Sequence, residues 1–238
     1  MDIFTLIRKL LIASNRMVRG FIRQPDAIKY APIWVRSMLP WHTTLRDQVP
    51  FLPFPARIWL ESYLKPEMSV FEWGSGGSTL FFAKRVKALV SVEHDKGWYN
   101  RLSSALTNQG ISNCRYILHE PQVISDTESP SAGNIAYMST LNEYQGVSFG
   151  NYVKAIDEYP DGTFDLIIID GRSRIACISH ALSKVRPGGC LMLDNSERDT
   201  YEEAFSILSA YKQTNITSVI PYIPHWGQTT IWEINPRS

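Results

Sequence analysis

A glycine-rich turn and an acidic residue that follows it are the groups in this 238-residue sequence best suited to binding a nucleotide. The turn contains Gly74, Ser75, Gly76, Gly77 and Ser78, and Glu93 comes roughly twenty residues further on. Glycine lets the backbone turn sharply and approach a ligand closely, because a Cβ atom there would clash. A carboxylate at this spacing can accept hydrogen bonds from both hydroxyls of a ribose. The two features together predict a site for a ligand that contains a ribose.

The elements around these residues have the order of a nucleotide-binding βαβ unit. A strand is predicted over 69–71, a helix after the glycine turn, and a second strand over 88–92 that runs into Glu93. The dinucleotide fingerprint requires a third glycine where this sequence has Thr79, and the Lys-Ser/Thr pair of a P-loop is missing. Glu72, just before the first glycine, would repel a pyrophosphate but would attract an ammonium or sulfonium group.

Four segments of the chain resemble the motifs of one family. Glu72-x-Gly74-x-Gly76-Gly77, followed by VEHD at the end of the second strand, resembles the first two motifs of class I S-adenosylmethionine-dependent methyltransferases. FDLIIIDG over 164–171 resembles the fourth strand of that family, and VRPGGCLMLDN over 185–195 resembles its Pro-Gly-Gly turn and fifth strand. The matches cover about 69–201 in the family's order and look closest to small-molecule and sugar O-methyltransferases.

The resemblance implies a cofactor and a role for several residues. S-adenosyl-L-methionine would be held at its methionyl end by Glu72 and the turn from Gly74 to Ser78, and at its ribose by Glu93. His94 would flank the adenosine, and His119 would contact the adenine. Asp170, at the end of the fourth strand, is a further candidate contact of the cofactor.

The predicted fold class is α/β, a Rossmann-like three-layer sandwich with an N-terminal helical extension. Strands that alternate with helices imply a mostly parallel sheet covered on both faces. The last two strands, joined by only 221–228, should be antiparallel, which gives a seven-stranded sheet with an antiparallel last strand. We expect an extension and lid over 1–60 and a Rossmann-like domain over 61–238. The other predicted helices cover 96–106, 151–157, 175–184 and 201–212, and the other strands cover 114–118, 165–169, 190–193, 216–220 and 229–233.

Acidic residues at the predicted strand ends offer two interpretations of the acceptor site. In one, Asp170, Asp194 and Asn195 hold Mg²⁺ or another divalent cation, as in the metal-dependent O-methyltransferases that they resemble. In the other there is no metal, and Asp170 or a histidine is the general base. His225 is the favoured histidine because Trp226 beside it could line a pocket. Arg172 and Arg174 are expected to pair with the carboxylates, or to bind an acidic substrate.

Composition limits the classes of partner. The net charge is only +1, so nothing favours the backbone of a nucleic acid as substrate. Three cysteines without paired or metal-type spacing fit a reducing compartment, and no apolar run approaches the ~20 residues of a membrane span. We therefore expect a cytoplasmic protein.

The sequence does not decide what the N-terminal segment contacts. Apolar residues over 2–23 mostly recur at helical spacing, with arginines and a lysine towards the other side. Such a helix can cap the domain, form a homodimer contact or lie at the inner face of the membrane. The loop over 120–150 shows no convincing element and is expected to face the substrate.

The sequence thus predicts a methyltransferase that transfers a methyl group by direct displacement to a hydroxyl of a small molecule or carbohydrate. The alternatives are a catalytically silent interaction module of the same fold, tethered by its N-terminal helix, and a nicotinamide-dependent oxidoreductase. Thr79 and Glu72 count against the second alternative.

Overall fold

The computed structural model describes residues 15–124, 137–138 and 142–235. The part of the N-terminal helix prediction over 2–14 and most of the loop over 120–150 lie outside this range. The helices are α1 (15–23), α2 (Ala31–Ser37), α3 (Thr44–Asp47), α4 (Phe54–Tyr63), α5 (Gly77–Ala83), α6 (Lys96–Asn108), α7 (Gly150–Lys154), α8 (Arg174–Ala181) and α9 (Glu202–Ile207). The strands are β1 (Ser69–Trp73), β2 (Ala88–Glu93), β3 (Cys114–Leu118), β4 (Gln122–Val123), β5 (Val147–Ser148), β6 (Phe164–Ile169), β7 (Val185–Asp194), β8 (Lys212–Val219) and β9 (Trp226–Ile234).

Seven strands form one twisted sheet in the order β3-β2-β1-β6-β7-β9-β8. Neighbours pair in parallel except for β9, which is antiparallel to both β7 and β8. The predicted fold class is therefore confirmed, including the antiparallel strand at the end of the chain. β4 and β5 make a separate two-stranded pair within the segment for which the sequence predicted no element.

The sheet is buried on both faces, which fixes the positions of the strand ends. In β6, Ile167 and Ile169 belong to one apolar cluster, while Leu166 and Ile168 belong to the cluster on the opposite face. This arrangement explains the unbroken apolar run in the sequence, because both faces of a parallel sheet are covered by helices. Trp73 at the end of β1 is fully buried, and its Nε1 donates to the backbone oxygen of Tyr152 at 2.9 Å.

The predicted helix over 201–212 is wrong at its end. Helix α9 stops at Ile207, and Lys212 is already the first residue of β8. The first four residues of β8 are exposed at the edge of the sheet, so their polar side chains carry no alternating pattern that would indicate a strand.

The N-terminal segment packs on the adjoining ends of β8 and β9 and on the loop between them. Met17 and Phe54 are buried in a cluster with Val219, and the Phe21 ring lies edge-on to Trp226 with centroids 5.2 Å apart. The Nε1 atom of Trp34 in α2 donates to the backbone oxygen of Ile223 at 3.0 Å. Among the described residues, no helix has the length and apolar character required to cross a membrane.

Candidate active site

A cavity of about 580 Å³ opens at the carboxyl ends of β1, β2 and β6. Its wall contains the whole turn 74–78, the segment 93–95 after β2 and the segment 170–172 after β6. Residues 42–44 of the N-terminal segment and Tyr222 of the β8–β9 loop complete the wall. Ligands of open α/β sheets bind at this edge, so the topology and the cavity select the same place.

Two glycines of the turn are required by close contacts. Gly74 has a φ of +91°, and a Cβ on it would lie 2.5 Å from the backbone oxygen of Asp170. A Cβ on Gly77 would overlap the backbone oxygen of Thr44, because α3 lies directly against the turn. The turn is closed by Thr79, whose Oγ1 accepts from the backbone nitrogen of Gly76 at 3.0 Å.

Glu93 lies in the cavity wall, where hydrogen bonds hold its carboxylate in place. Its Oε1 accepts from the backbone nitrogens of His94 and Asp95 at 2.8 and 2.9 Å. Its Oε2 accepts from Ser75, from the backbone nitrogen at 3.2 Å and from Oγ at 2.6 Å. Burial alone would raise the pKa of Glu93, but these hydrogen bonds and the nearby His94 outweigh it and lower the pKa. Glu93 is therefore a carboxylate when a ligand arrives.

Glu72 lies beneath the glycine turn and does not line the cavity. Its Oε2 accepts from Thr79 Oγ1 at 2.7 Å and from Ser91 Oγ at 2.8 Å, and the residue is only 1% exposed. Burial raises the pKa of Glu72 to about 7. The structure therefore gives Glu72 a role in supporting the turn rather than in touching a ligand.

The structure separates the predicted histidines. His94 lines the cavity, with Nδ1 2.9 Å from Glu93 Oε1 and Nε2 3.1 Å from the hydroxyl of Tyr144. His119 follows β3 and lies outside the cavity wall, where burial lowers its pKa. His225 is exposed in a different depression, beside Arg16 of α1 and Trp226 of β9. The structure thus does not bring His225 to the site where a general base is needed.

A buried arginine occupies the place that the sequence offered to a metal. Arg174 is 6% exposed, and its Nη2 donates to Asp170 Oδ1 at 3.0 Å and to Asn195 Oδ1 at 3.4 Å. Its Nη1 donates to the backbone oxygen of Asp194 at 2.5 Å, and Nε donates to that of Gly171 at 3.0 Å. The expected pairing of Arg174 with a carboxylate is therefore present at Asp170, whereas Asp194 accepts from Arg174 only through its backbone oxygen.

These residues do not fit a divalent cation. The guanidinium of Arg174 already supplies the positive charge, and Asp194 Oδ1 accepts instead from Thr229 Oγ1 at 2.7 Å. Burial, followed by the charge of Asp170, raises the pKa of Asp194, which favours the protonated acid over a metal ligand. Within residues 15–124, 137–138 and 142–235, no three His, Cys, Asp or Glu side chains are grouped so that they could hold a metal ion.

The sequence interpretation placed His42 in the predicted lid but gave this histidine, which lines the cavity, no role of its own. His42 Nδ1 lies 3.0 and 2.9 Å from the two carboxylate oxygens of Asp47. The hydroxyl of Tyr222 donates to Asp47 Oδ2 at 2.9 Å. Thr43 begins α3 as its N-cap, accepting from the backbone nitrogen of Arg46 at 3.2 Å, which sets the turn that carries this pair.

Trp98 was also missed as a residue of the cavity wall. Its Nε1 donates to the backbone oxygen of Ser75 at 2.9 Å, and its own backbone nitrogen donates to Asp95, the N-cap of α6. Trp98 therefore links the start of α6 to the glycine turn.

Comparison with known proteins gives fold relatives only. No protein-family model and no curated protein matches the sequence. Among solved structures, an rRNA methylase from Streptococcus thermophilus is 17% identical, with a TM-score of 0.52 over 76% of this chain and 96% of that one. A methyltransferase-like protein from Silicibacter pomeroyi is 20% identical, with a TM-score of 0.51 over 79% and 91%. A candidate methyltransferase from Streptococcus mutans, solved in complex with SAH, is 12% identical, with a TM-score of 0.50 over 75% and 96%.

The strand order and these likenesses define the class of fold. The chain has the Rossmann-like fold of the class I S-adenosylmethionine-dependent methyltransferases. At identities of 20% or less, the likeness extends to the fold and leaves the substrate to be argued from the site.

Proposed function

We propose that this protein is an S-adenosylmethionine-dependent methyltransferase that acts on a hydroxyl group of a small molecule or sugar. One observation carries the proposal: the glycine turn 74–78 and the ionised carboxylate of Glu93 line one cavity at the ligand-binding edge of this fold. A turn and a carboxylate in this relation suit the aminoacyl and ribose parts of an adenosyl cofactor.

The segments that line the cavity have separate roles in such a reaction. When bound, the cofactor supplies a methyl group on a sulfonium, which is already an activated electrophile. The backbone of 74–78 fixes the position of the ligand, and Glu93 accepts hydrogen bonds from its ribose. The lid formed by 42–44 excludes water and positions the nucleophile, which is the main contribution that a protein makes to a direct displacement.

The charges of the cavity favour a small acceptor over a nucleic acid. Three acids, Glu93, Asp95 and Asp170, line the cavity together with the single arginine Arg172. A phosphodiester chain would be repelled by this wall, whereas a hydroxyl compound would not. The rRNA methylase among the fold relatives therefore gives no reason to propose RNA as the substrate.

Titration calorimetry of the protein with S-adenosylhomocysteine and, separately, with NAD tests the cofactor. We expect micromolar binding of S-adenosylhomocysteine alone, a loss of at least tenfold in Glu93→Ala, and no change in His225→Ala, which lies outside the cavity. Circular dichroism establishes that the Glu93 variant is folded. NAD binding would support the oxidoreductase alternative, and binding of neither ligand would support a catalytically silent module.

For the N-terminal segment we propose contact with an anionic membrane surface. Ten large apolar side chains between Val18 and Ile58 are exposed. Residues 15–58 also carry seven arginines and lysines against two aspartates. In α1, Val18 and Ile22 are 56% and 73% exposed, and Arg19 lies beside them on the same outward face. Apolar side chains flanked by arginine suit a lipid interface, and like charges disfavour a second copy of this face.

Sedimentation with vesicles tests this contact. We expect binding to vesicles of phosphatidylglycerol and phosphatidylcholine, weaker binding to pure phosphatidylcholine, and a loss in Val18→Asp/Ile22→Asp. Val123→Asp is the matched control, because Val123 is 84% exposed outside this segment. Failure to bind vesicles, with a dimer detected by light scattering that the double variant disrupts, would assign the surface to a second copy instead.

A further inference from the structure

A second, smaller cavity adjoins the candidate cofactor cavity. It has a volume of about 250 Å³, and His42 and Tyr222 line both cavities. Apolar side chains of Ile33, Val49 and Phe54 form much of its wall. An apolar cavity of about 150 Å³ is large enough for benzene, so this one can hold a substituted aromatic ring. His42 therefore stands between a place for the cofactor and a place for a ring compound.

The hydrogen bonds of His42 define which nitrogen is basic. The carboxylate of Asp47 accepts a hydrogen bond from Nδ1 of His42. The proton of the neutral imidazole therefore lies on Nδ1, and the lone pair lies on Nε2. Burial, followed by the hydrogen bond to Asp47, raises the pKa of Tyr222, which therefore stays protonated and keeps donating to the carboxylate. His42 is thus held in the tautomer that a general base requires.

Two arginines give the smaller cavity its charge. Arg36 and Arg57 line it, and Asp47 is the only acid among the lining residues. The carboxylate of Asp47 is already used by His42 and Tyr222. Arg57 Nε is buried without a hydrogen bond and lies 3.4 Å from Glu61 Oε1. An acceptor that carries a carboxylate would therefore compete with Glu61 for Arg57, whose Nε has no hydrogen bond.

We infer that His42 is the general base of the proposed methyl transfer and that the smaller cavity binds a hydroxylated aromatic acid as acceptor. This inference rests on the proposed function. The acceptor oxygen forms a bond to the methyl carbon as the carbon–sulfur bond breaks with its electron pair passing to sulfur. The hydroxyl proton passes to Nε2 of His42, and Asp47 balances the charge that the imidazole gains. Arg57 holds the carboxylate of the acceptor.

A chromophoric acceptor tests the inference without turnover. The probe is 4-hydroxy-3-nitrobenzoate, whose phenolate absorbs visible light, added to the protein saturated with S-adenosylhomocysteine. We expect the bound probe to show a phenolate-to-phenol ratio about tenfold higher than in solution at the same pH, because Nε2 of His42 accepts the proton of the hydroxyl. The ratio should return to the solution value in His42→Gln.

The matched control is a second histidine–aspartate pair. His180 Nδ1 lies 2.8 and 2.9 Å from the carboxylate oxygens of Asp157, nearly the geometry of His42 and Asp47, but outside both cavities. His180→Gln should therefore leave the spectrum of the bound probe unchanged. A spectrum that is the same in wild type and His42→Gln, with the probe bound in both, would overturn the assignment of the base.

The methyl ester of the probe lacks the carboxylate charge and tests whether the smaller cavity selects an anionic acceptor. We expect the acid to bind at least tenfold more tightly than its ester, and Arg57→Gln to remove the difference. Arg115→Gln is the control, because Arg115 is exposed on the edge strand β3 and pairs with Glu158. Equal affinity for acid and ester, or no binding of the acid at millimolar concentration, would overturn the assignment of the acceptor. If S-adenosylhomocysteine itself fails to bind, the proposed function fails first.

Discussion

Replacing Glu72 by glutamine should change the dependence of stability on pH. Glu72 is 1% exposed, and burial raises its pKa from an ordinary value of 4.5 to about 7. Hydrogen bonds from Ser78, Thr79 and Ser91 act in the opposite direction without cancelling the effect. The folded protein consequently holds a proton on Glu72 at pH values where the unfolded chain has released it.

The sign of the effect follows from this difference. The contribution of Glu72 to stability is fully present below pH 4.5, decreases as the pH rises from 4.5 to 7, and is lost above that. A difference of one in pKa corresponds to about 1.4 kcal/mol, so the full loss is about 3 kcal/mol. Glutamine has no proton to release, and its own packing cost is the same at every pH. The variant should therefore gain about 2.5 kcal/mol relative to wild type between pH 5 and pH 8.

Urea unfolding of both proteins without ligand, followed by tryptophan fluorescence at several values between pH 5 and pH 8, measures this gain. Glu67→Gln is the control, because Glu67 is exposed on the approach to β1 and should show no comparable trend. If the free-energy difference between wild type and Glu72→Gln stays constant over this range, the buried carboxyl has an ordinary pKa and the reasoning fails.

Three further variants test other parts of the site. Arg174→Met should lower the free energy of unfolding by about 3–5 kcal/mol, because it removes a buried guanidinium that pairs with Asp170 and donates to two backbone oxygens. Arg172→Met should change this free energy little, and urea unfolding compares the two variants. Gly77→Ala should weaken binding of S-adenosylhomocysteine by about tenfold or more, because the Cβ of the new alanine would displace the backbone of Thr44. Titration calorimetry measures this loss of affinity. Asp95→Ala should lower the free energy of unfolding by about 1 kcal/mol, because α6 loses its N-cap. Thermal unfolding measures the change, and an unchanged Tm would refute the capping role.

The sheet and its ligand-binding edge were predictable because their signals are local. The run over 164–171 is apolar at every buried position of β6, which is typical of a strand covered on both faces. The turn at Gly74 needs a left-handed residue, and glycine marks it in the sequence. Glu93 follows its strand at the spacing that places it beside the turn.

The parts that were missed depend on contacts across the chain. His42 and Tyr222 both contact Asp47, and 175 residues separate Asp47 from Tyr222. Glu72 has a suitable position for a ligand contact, but the sequence does not reveal that Thr79 and Ser91 direct its carboxylate inward. Thr79 was interpreted only as a missing glycine, although its hydroxyl is what closes the turn.

Hydrogen bonds between the N-terminal segment and the β8–β9 loop determine when the site can form during synthesis. Trp34 binds Ile223 across 189 residues, and Tyr222 reaches Ser37 across 185. A ribosome that adds roughly 5–20 residues per second produces Tyr222 about 9–35 s after Asp47. The N-terminal segment is therefore made first but finds its partner last, and a nascent chain that already has β1 and β2 still lacks the complete cavity wall. Ligand binding to ribosome-held chains should begin only after the β8–β9 loop has emerged.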